Sequence, residues 1–177
     1  MKLVVGLGNP EKKYDDTYHN VGFDFLDYFA NKYDFGEFLK QKCHGKISEG
    51  CLSGQKITLV KPQTYMNLSG ICVSEFAKKF KIDTKDIIVI FDDIDIAKGE
   101  AKFKMNGSGG THNGMKNIVE MLGSTDFPRI KIGTKPEHKP NDLADYVLSK
   151  IGSNNEWREV AFGIAEKKLI DFISGKC

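Results

Sequence analysis

Short apolar runs alternate along the chain with longer stretches in which apolar residues recur every three or four positions. Residues 3–7 and 87–91 are continuous, rich in β-branched side chains and bounded by polar or glycine residues. Runs of this kind predict strands that are buried on both faces of a sheet. Shorter or alternating runs predict further strands at residues 42–50, 57–60, 101–105 and 129–133.

Apolar residues at helical spacing predict five helices, with N-caps at Asn20, at Asn67 or Ser69, at Asn113, at Asn141-Asp142 and near Asn155. The residues predicted to face the core are Phe23, Leu26, Phe29, Ala30 and Tyr33, then Val73, Phe76, Ala77 and Phe80, then Met115, Ile118, Val119 and Leu122, then Leu143, Tyr146 and Val147, and finally Trp157, Val160, Ala161, Ile164, Leu169 and Phe172. In the strand at 101–105, the alternation directs Ala101, Phe103 and Met105 inward and Lys102 and Lys104 toward solvent.

Strands that alternate with helices predict an α/β fold. The run at 42–50 and the following run at 57–60 form an antiparallel pair in this interpretation, so the expected sheet is mixed, mostly parallel and twisted, with helices on its faces. The chain of 177 residues has no internal linker or repeat, which predicts one domain over residues 1–177.

Composition narrows the class of protein. Hydrophobic residues make up 40% and charged residues 28%, as in soluble globular proteins. No apolar run approaches the ~18 residues of a membrane span, and the first apolar run is too short for a signal peptide, so a cytoplasmic location is expected. The four cysteines have no metal-ligand spacing and are expected to be ordinary thiols.

The net charge of +2 identifies no partner, but its distribution is uneven. Residues 98–139 contain eight basic and four acidic residues. This excess is either a solvated lysine-rich face or an attraction for a partner that carries phosphate.

Two glycine-rich loops resemble nucleotide-binding loops, but each lacks a residue that such a loop requires. Gly6-Leu7-Gly8 follows a strand, but Glu11 stands where a dinucleotide fingerprint has its third glycine. The loop at 107–114 precedes a helix, but Met115 stands where a phosphate-binding loop has lysine. The first loop still predicts a tight turn at the carboxyl end of a core strand, where open α/β sheets bind ligands. The second is either a plain helix cap or a flexible rim that brings Asn113 to a ligand.

The acidic end of the strand at 87–91 suggests a hydrolytic pair. Asp92, Asp93 and Asp95 have no second acidic cluster to complete a metal site, so no metal is expected. One of these carboxylates is better suited to orient a histidine than to bind a metal. His19 precedes the first predicted helix, although a lone histidine is more often structural. Without a GxSxG nucleophile motif, a His–Asp pair would act on water as a general base.

Taken together, the motifs resemble the bacterial-type peptidyl-tRNA hydrolase family. They occur in the expected order over residues 3–150. The first motif is GLGNP at 6–10, followed by Tyr14 and by Thr17, His19, Asn20 and Gly22 in the pattern T-x-H-N-x-G. The later motifs are KPQTYMNLSG at 61–70, DDID at 92–95 with Gly99, GTHNGMK at 110–116, RIKIG at 129–133 and DYVL at 145–148.

This resemblance implies a monomeric α/β enzyme that needs no cofactor and hydrolyses the ester between a peptide and the 3′ ribose of tRNA. It implies no membrane and no obligate protein partner. His19 corresponds to the catalytic base and Asp92 to the carboxylate that orients it. The other implied site residues are the cleft amides Asn9, Asn67 and Asn113, the aromatic residues Tyr14 and Tyr65 beside the acceptor end, and the phosphate-binding Lys102 and Lys131.

Several positions depart from the family pattern. Glu11 replaces a usual glycine, Tyr18 a common arginine before His19, and Phe91 a common histidine before Asp92. Thr134-Lys135 replaces a frequent Arg-Pro, and Lys131 a frequent arginine. These departures remove none of the proposed catalytic groups. They do remove three possible cationic side chains near the expected cleft.

Three rival interpretations stay open at this point. A non-catalytic module that binds tRNA or an acyl carrier would have the same cleft, and the intact His19 and Asp92 disfavour it. A small-molecule hydrolase or transferase would use the same pair, and the basic excess disfavours it weakly. A nucleotide-dependent oxidoreductase is disfavoured by Glu11 in the glycine loop.

Overall fold

The computed structural model describes residues 1–177. Its seven strands are β1 (Lys2–Gly6), β2 (Lys40–Lys42), β3 (Gly45–Leu52), β4 (Gln55–Pro62), β5 (Ile87–Asp93), β6 (Ala101–Lys104) and β7 (Arg129–Gly133). Its five α-helices are α1 (Val21–Lys32), α2 (Ser69–Phe80), α3 (Asn113–Leu122), α4 (Leu143–Val147) and α5 (Glu156–Ile173). The predicted α/β class is confirmed, and no helix has the length and apolar character that crossing a membrane requires.

The strands form one mixed sheet in the order β2-β3-β4-β1-β5-β7-β6. Its centre is parallel, because β1 pairs with β4 and β5, and β5 pairs with β7. Its edges are antiparallel, at β2–β3, β3–β4 and β6–β7. The predicted mixed sheet is therefore confirmed, with its antiparallel pairs at the edges, where the hairpin strand β3 recruits β2 and the short strand β6 returns antiparallel along β7.

Two apolar layers cover the sheet. Helices α1 and α5 pack on one face against Val4, Ile88 and Ile130. Helices α2 and α3 pack on the other face against Leu3 and Val89. Because side chains alternate along a strand, β1 and β5 supply both layers, which explains their continuous apolar sequence.

The glycine that ends β1 serves close packing. A Cβ atom on Gly6 would lie 2.3 Å from the carbonyl oxygen of Gly22, at the start of α1. Contacts below 3.0 Å are essentially never seen for real Cβ atoms, so only glycine permits this approach. The contact holds the loop that carries Asn9 against the segment that carries His19.

Some predicted inward residues face solvent. Val160 is 59% exposed, because the buried side of α5 is centred on Ala161, Phe162, Ala165 and Leu169, and Val160 lies opposite it. Met105 is 50% exposed, because β6 ends at Lys104 and the alternation does not continue.

The ends of two other helices also depart from the pattern. Phe80 is the last residue of α2 and is partly exposed, since it projects past the end of the helix's core contact. No residue of α4 is fully buried. Leu143 and Val147 line a cleft and not the core, whereas Tyr146 is half-buried and packs against the core beneath α1 and α5, as predicted.

Candidate active site

A cleft of about 920 Å³ opens at the carboxyl ends of the parallel strands. It is bounded by the loops that follow β1, β4 and β5, by the glycine-rich loop before α3, and by α4. Eight of the nine site residues expected from the sequence line it, namely Asn9, Tyr14, His19, Tyr65, Asn67, Asp92, Asn113 and Lys131. Lys102 is the exception.

His19 and Asp92 lie in direct contact at the floor of this cleft. His19 sits in a 3-10 turn just before α1, and Asp92 lies near the end of β5. The imidazole Nδ1 is 3.0 Å from each carboxylate oxygen. The Asp92 side chain is 2% exposed and that of His19 is 12% exposed. This arrangement fixes the ring and keeps one edge open to the cleft.

The charges on this pair follow from their surroundings. Burial raises the pKa of Asp92, but His19 and His112 more than reverse this effect, so the pKa lies well below its usual range and the carboxylate is ionised. Burial lowers the pKa of His19, but the charge and hydrogen bond of Asp92 outweigh it, so the net shift is upward. An ionised Asp92 only accepts hydrogen bonds, so His19 Nδ1 donates and Nε2 keeps its lone pair in the neutral ring.

His112 is a functional candidate that sequence reasoning missed. Its Nδ1 accepts a hydrogen bond from the Met115 N–H and caps α3. The ring proton must then lie on Nε2, which donates to Asp92 Oδ1 at 2.9 Å. His112 therefore holds the same carboxylate as His19, and the predicted cap residue Asn113 is left free. Its place in the GTHNGMK motif was visible in the sequence, but its partner was not.

Asn20 is a second residue whose role the sequence did not reveal. It was expected to cap α1 and makes no such bond. Its amide instead clasps the backbone of Asn9, accepting from the N–H at 2.9 Å and donating to the carbonyl at 3.0 Å. The side-chain oxygen of Asn9 then accepts from the Met66 N–H at 2.8 Å. The Asn9 NH₂ group has no partner within the protein, so a donor is available to a ligand.

Asn67 and Asn113 are the two other cleft amides. Both side chains are exposed and form no hydrogen bond within the protein. Asn67 lies in the 3-10 turn before α2, and Asn113 is the first residue of α3. Together with Asn9 they offer three amide groups that can donate to or accept from a bound substrate.

The aromatic end of the cleft contains Tyr14 and Tyr65. The hydroxyl of Tyr65 donates to Glu11, which also pairs with Lys13. Tyr65 has a φ of 62° and a ψ of 160°, a backbone region that is costly for a residue with a side chain. Such a conformation is retained when neighbouring contacts impose it, and here the Asn9–Met66 bond lies directly beside it.

The basic residues are divided between the cleft and its outer edge. Lys131 lines the cleft and lies 3.5 Å from Asp93. Lys102 is the cross-strand partner of Lys131, but it does not line the cleft. Lys104, two residues further along β6, does.

Arg129 is fully buried and serves the scaffold of this edge. It donates to the carbonyls of Ser108, Thr125 and Phe127 and so holds the glycine-rich loop in place.

One set of side chains has the composition of a metal site. The ligand atoms of His19, Asp92 and His112 lie within 4.8 Å of one another. Two imidazoles and a carboxylate suit zinc. The same atoms are already joined by N–H···O hydrogen bonds of 2.9–3.0 Å, so the carboxylate of Asp92 has hydrogen-bond partners in both imidazole rings.

A fixed imidazole, an ionised carboxylate and unpaired amide donors in one cleft are the parts of a hydrolase that activates water. The family model for peptidyl-tRNA hydrolase matches residues 3–172. The chain therefore belongs to the peptidyl-tRNA hydrolase family.

Individual relatives agree over most of their length. The chain is 48% identical over 151 residues to a peptidyl-tRNA hydrolase from Alkaliphilus oremlandii, covering 85% of this chain and 80% of the relative. It is 42% identical to a peptidyl-tRNA hydrolase from Agathobacter rectalis, covering 99% of this chain and 95% of the relative. The crystal structure of peptidyl-tRNA hydrolase from Acinetobacter baumannii superposes on this chain with a TM-score of 0.91 at 34% sequence identity. The superposition covers 99% of this chain and 90% of that one.

Proposed function

We propose that this chain hydrolyses the ester between a peptide, or an N-blocked aminoacyl group, and the 3′ ribose of tRNA, releasing free tRNA and peptide. The observation that carries the proposal is the His19–Asp92 contact at the floor of the cleft, in a chain that belongs to this family. Such an activity recycles peptidyl-tRNA that is dropped during translation.

The chemistry follows from the protonation states. His19 Nε2 takes a proton from a water molecule, which attacks the ester carbonyl to form a tetrahedral intermediate. When this intermediate breaks its bond to the 3′ oxygen of the ribose, the imidazolium returns the proton to that oxygen and free tRNA leaves. Asp92 holds Nδ1–H in place and stabilises the imidazolium that forms. The ester is already activated, so a deprotonated water suffices and neither a covalent nucleophile nor a metal is needed.

The three amides supply stabilisation and selectivity. An N–H donor placed near the carbonyl binds the oxyanion that develops there. We propose that Asn9 recognises the amide of the N-blocked substrate by hydrogen bonding, since its free NH₂ is held in position by Asn20 and Met66. A buried amide left without its partner strongly disfavours a substrate that lacks the matching group, here an aminoacyl-tRNA with a free amine.

The tRNA part of the substrate has two sets of contacts in this proposal. Tyr14 and Tyr65 stack against the unpaired acceptor end, since aromatic rings bind bases with little dependence on sequence. Lys131, with Lys104 or Lys102, holds a terminal phosphate. The protein acts as a cytoplasmic monomer without a cofactor or an obligate protein partner.

A hydrolysis assay tests the proposal. The purified chain is mixed with N-acetyl-aminoacyl-tRNA, with the same tRNA carrying an unblocked amino acid, and with a small N-acetyl amino-acid ester. We expect rapid release from the first substrate, slow release from the other two, and no loss of activity in EDTA. Binding without turnover would contradict the proposal and favour a binding module, whereas equal activity on the small ester would favour a small-molecule hydrolase.

A further inference from the structure

Two of the positions that depart from the family pattern meet at one side chain, Tyr146 of α4. The rings of Tyr18 and Tyr146 stack with centroids 4.7 Å apart and an interplanar angle of 20°. The Tyr146 hydroxyl donates to the carbonyl oxygen of Thr134 at 2.5 Å. Tyr18 and Thr134 are both buried, at 8% and 0% exposure, so this contact belongs to the interior and not to a surface loop.

A third aromatic ring also lies beside Tyr18. Trp157 of α5 lies 6.1 Å from it at 19°, so three aromatic rings form one stack. Lys98 donates to the Tyr18 hydroxyl at 3.0 Å, and its Nζ lies 4.7 Å from the ring centroid. Tyr18 is therefore a fixed surface on which α4 rests, anchored to α5 and to the loop after β5.

Helix α4 depends on this contact because Tyr146 is the residue of the helix that packs against the apolar core. It has five residues, and none of them is buried. The following segment is tied to the same turn, through the Tyr18 N–H to the Ser149 carbonyl and through a bridge between Thr17 and Lys150. The Tyr18–Tyr146 stack thus sets how α4 lies over the cleft.

The side of α4 that faces the cleft is apolar. Leu143, Ala144, Val147 and Leu148 line it. Residues 141–148 contain two aspartates and no lysine or arginine, so this wall is unsuited to a phosphate backbone. An apolar acyl side chain is the part of an N-blocked aminoacyl ester that fits it.

We propose that Tyr18 is a positioning residue that, through its stack with Tyr146, holds α4 as the wall for the acyl side chain next to the ester. The inference rests on the proposed function and deepens it. His19 has separate anchors in Asp92 and in the Asn20–Asn9 clasp. Loss of the stack should therefore weaken acyl binding more than it slows the chemical step.

The test uses Tyr18→Leu and Tyr146→Leu, which remove the stack, with Tyr18→Phe and Tyr146→Phe as matched variants that keep the rings. Each is assayed on N-acetyl-leucyl and N-acetyl-glycyl esters of one tRNA. We expect the two leucine variants to raise KM for the leucyl substrate by about three- to tenfold, the size of a lost partial apolar contact, with kcat within about twofold. The glycyl substrate and both phenylalanine variants should be close to wild type.

Trp157 gives a readout that does not depend on activity, since it is the single tryptophan. Tyr18→Leu should shift its emission to longer wavelength and increase quenching by acrylamide, whereas Tyr146→Leu should leave the Trp157–Tyr18 contact and its emission nearly unchanged. If Tyr18→Leu fails to fold, Tyr146→Leu alone still tests the KM effect.

The possible results separate the two proposals. A fall in kcat at constant KM would place the effect on His19 and overturn the inference, as would equal KM changes for leucyl and glycyl substrates or no change at all. A wild-type protein inactive on both substrates would overturn the proposed function and this inference with it.

Discussion

The floor of the cleft and its basic edge are held together by opposite kinds of contact. At the floor, Asp92 is almost fully buried and accepts hydrogen bonds from two histidines. At the edge, Lys102 and Lys104 are exposed, and Lys131 has a single carboxylate 3.5 Å away. Buried and multiply bonded groups have one geometry, whereas exposed lysines exchange partners with solvent and ions. The floor should therefore determine rate, and the edge should determine affinity in a salt-dependent way.

The largest effect is expected at His19. His19→Ala removes the proposed base, and general-base catalysis contributes about 10²–10⁴-fold, so kcat should fall by that factor. The circular dichroism spectrum and the melting temperature should stay close to wild type. His44→Ala is the matched control, because His44 is exposed and pairs only with Glu75. A His19→Ala enzyme with near-normal turnover would show that another group activates the water.

The next effect is expected at Asp92. Asp92→Asn keeps the shape of the side chain, removes the charge that stabilises the imidazolium and permits the wrong tautomer, so kcat should fall by about a hundredfold. Asp95→Asn is the control, since Asp95 is exposed. A normal rate in Asp92→Asn would separate the carboxylate from the chemistry.

The same variant predicts the direction of a pH shift. The base works only when it is neutral, so activity falls as the pH drops through the pKa of His19, which lies above its ordinary value in the wild type. In Asp92→Asn burial acts without the opposing charge, so the pKa of His19 decreases and the acid limb of the kcat profile moves to lower pH. An unchanged His19 titration by NMR would contradict the direct contact.

A smaller effect is expected at His112, which acts through Asp92. His112→Asn keeps a good helix-capping residue but is too short to reach the carboxylate, so the melting temperature should change little. We expect about a tenfold lower kcat with KM unchanged, because Asp92 loses one of its two donors. His112→Ala should show the same kinetic loss together with a lower melting temperature, as the cap is also removed. Equal kcat in His112→Asn and wild type would limit His112 to capping α3.

The two regions also differ in how far the sequence predicts them. The strands β1 and β5 were predictable because burial on both faces leaves a continuous apolar run. The floor residues His19 and Asp92 could be nominated from residue type and motif order. The pairing of His112 with Asp92 could not, because it depends on how the loop before α3 packs against β5.

Local periodicity also fails to distinguish a core from a cleft. Leu143 and Val147 have the spacing of buried residues, yet they line the cleft. Val160 shows a related limit, since it lies opposite the buried side of α5, whereas Ala161, Leu169 and Phe172 of the same predicted stripe are buried. A sequence pattern states that a helix has an apolar side, and only the packing of α5 against the sheet decides which side is covered.

The smallest effects are expected at the basic edge, where the choice among three lysines sharpens the comparison. Lys131→Ala and Lys104→Ala should each raise KM for full-length peptidyl-tRNA with kcat almost unchanged, since the contact is remote from the ester. Each should also reduce the salt dependence of binding by about one phosphate contact, a change in slope of ~0.7–0.9. Lys102→Ala should have the weaker effect, because Lys102 does not line the cleft.

Asp93→Asn is a control in which KM should change in the opposite direction. It frees Lys131 from its carboxylate partner, so KM for full-length peptidyl-tRNA should decrease at low salt. All four variants should match wild type on a substrate that lacks the acceptor stem. Equal salt slopes in wild type and in all three lysine variants would show that these lysines are solvated charges, and a dominant effect of Lys102→Ala would move the phosphate site from the cleft to the outer edge of β6.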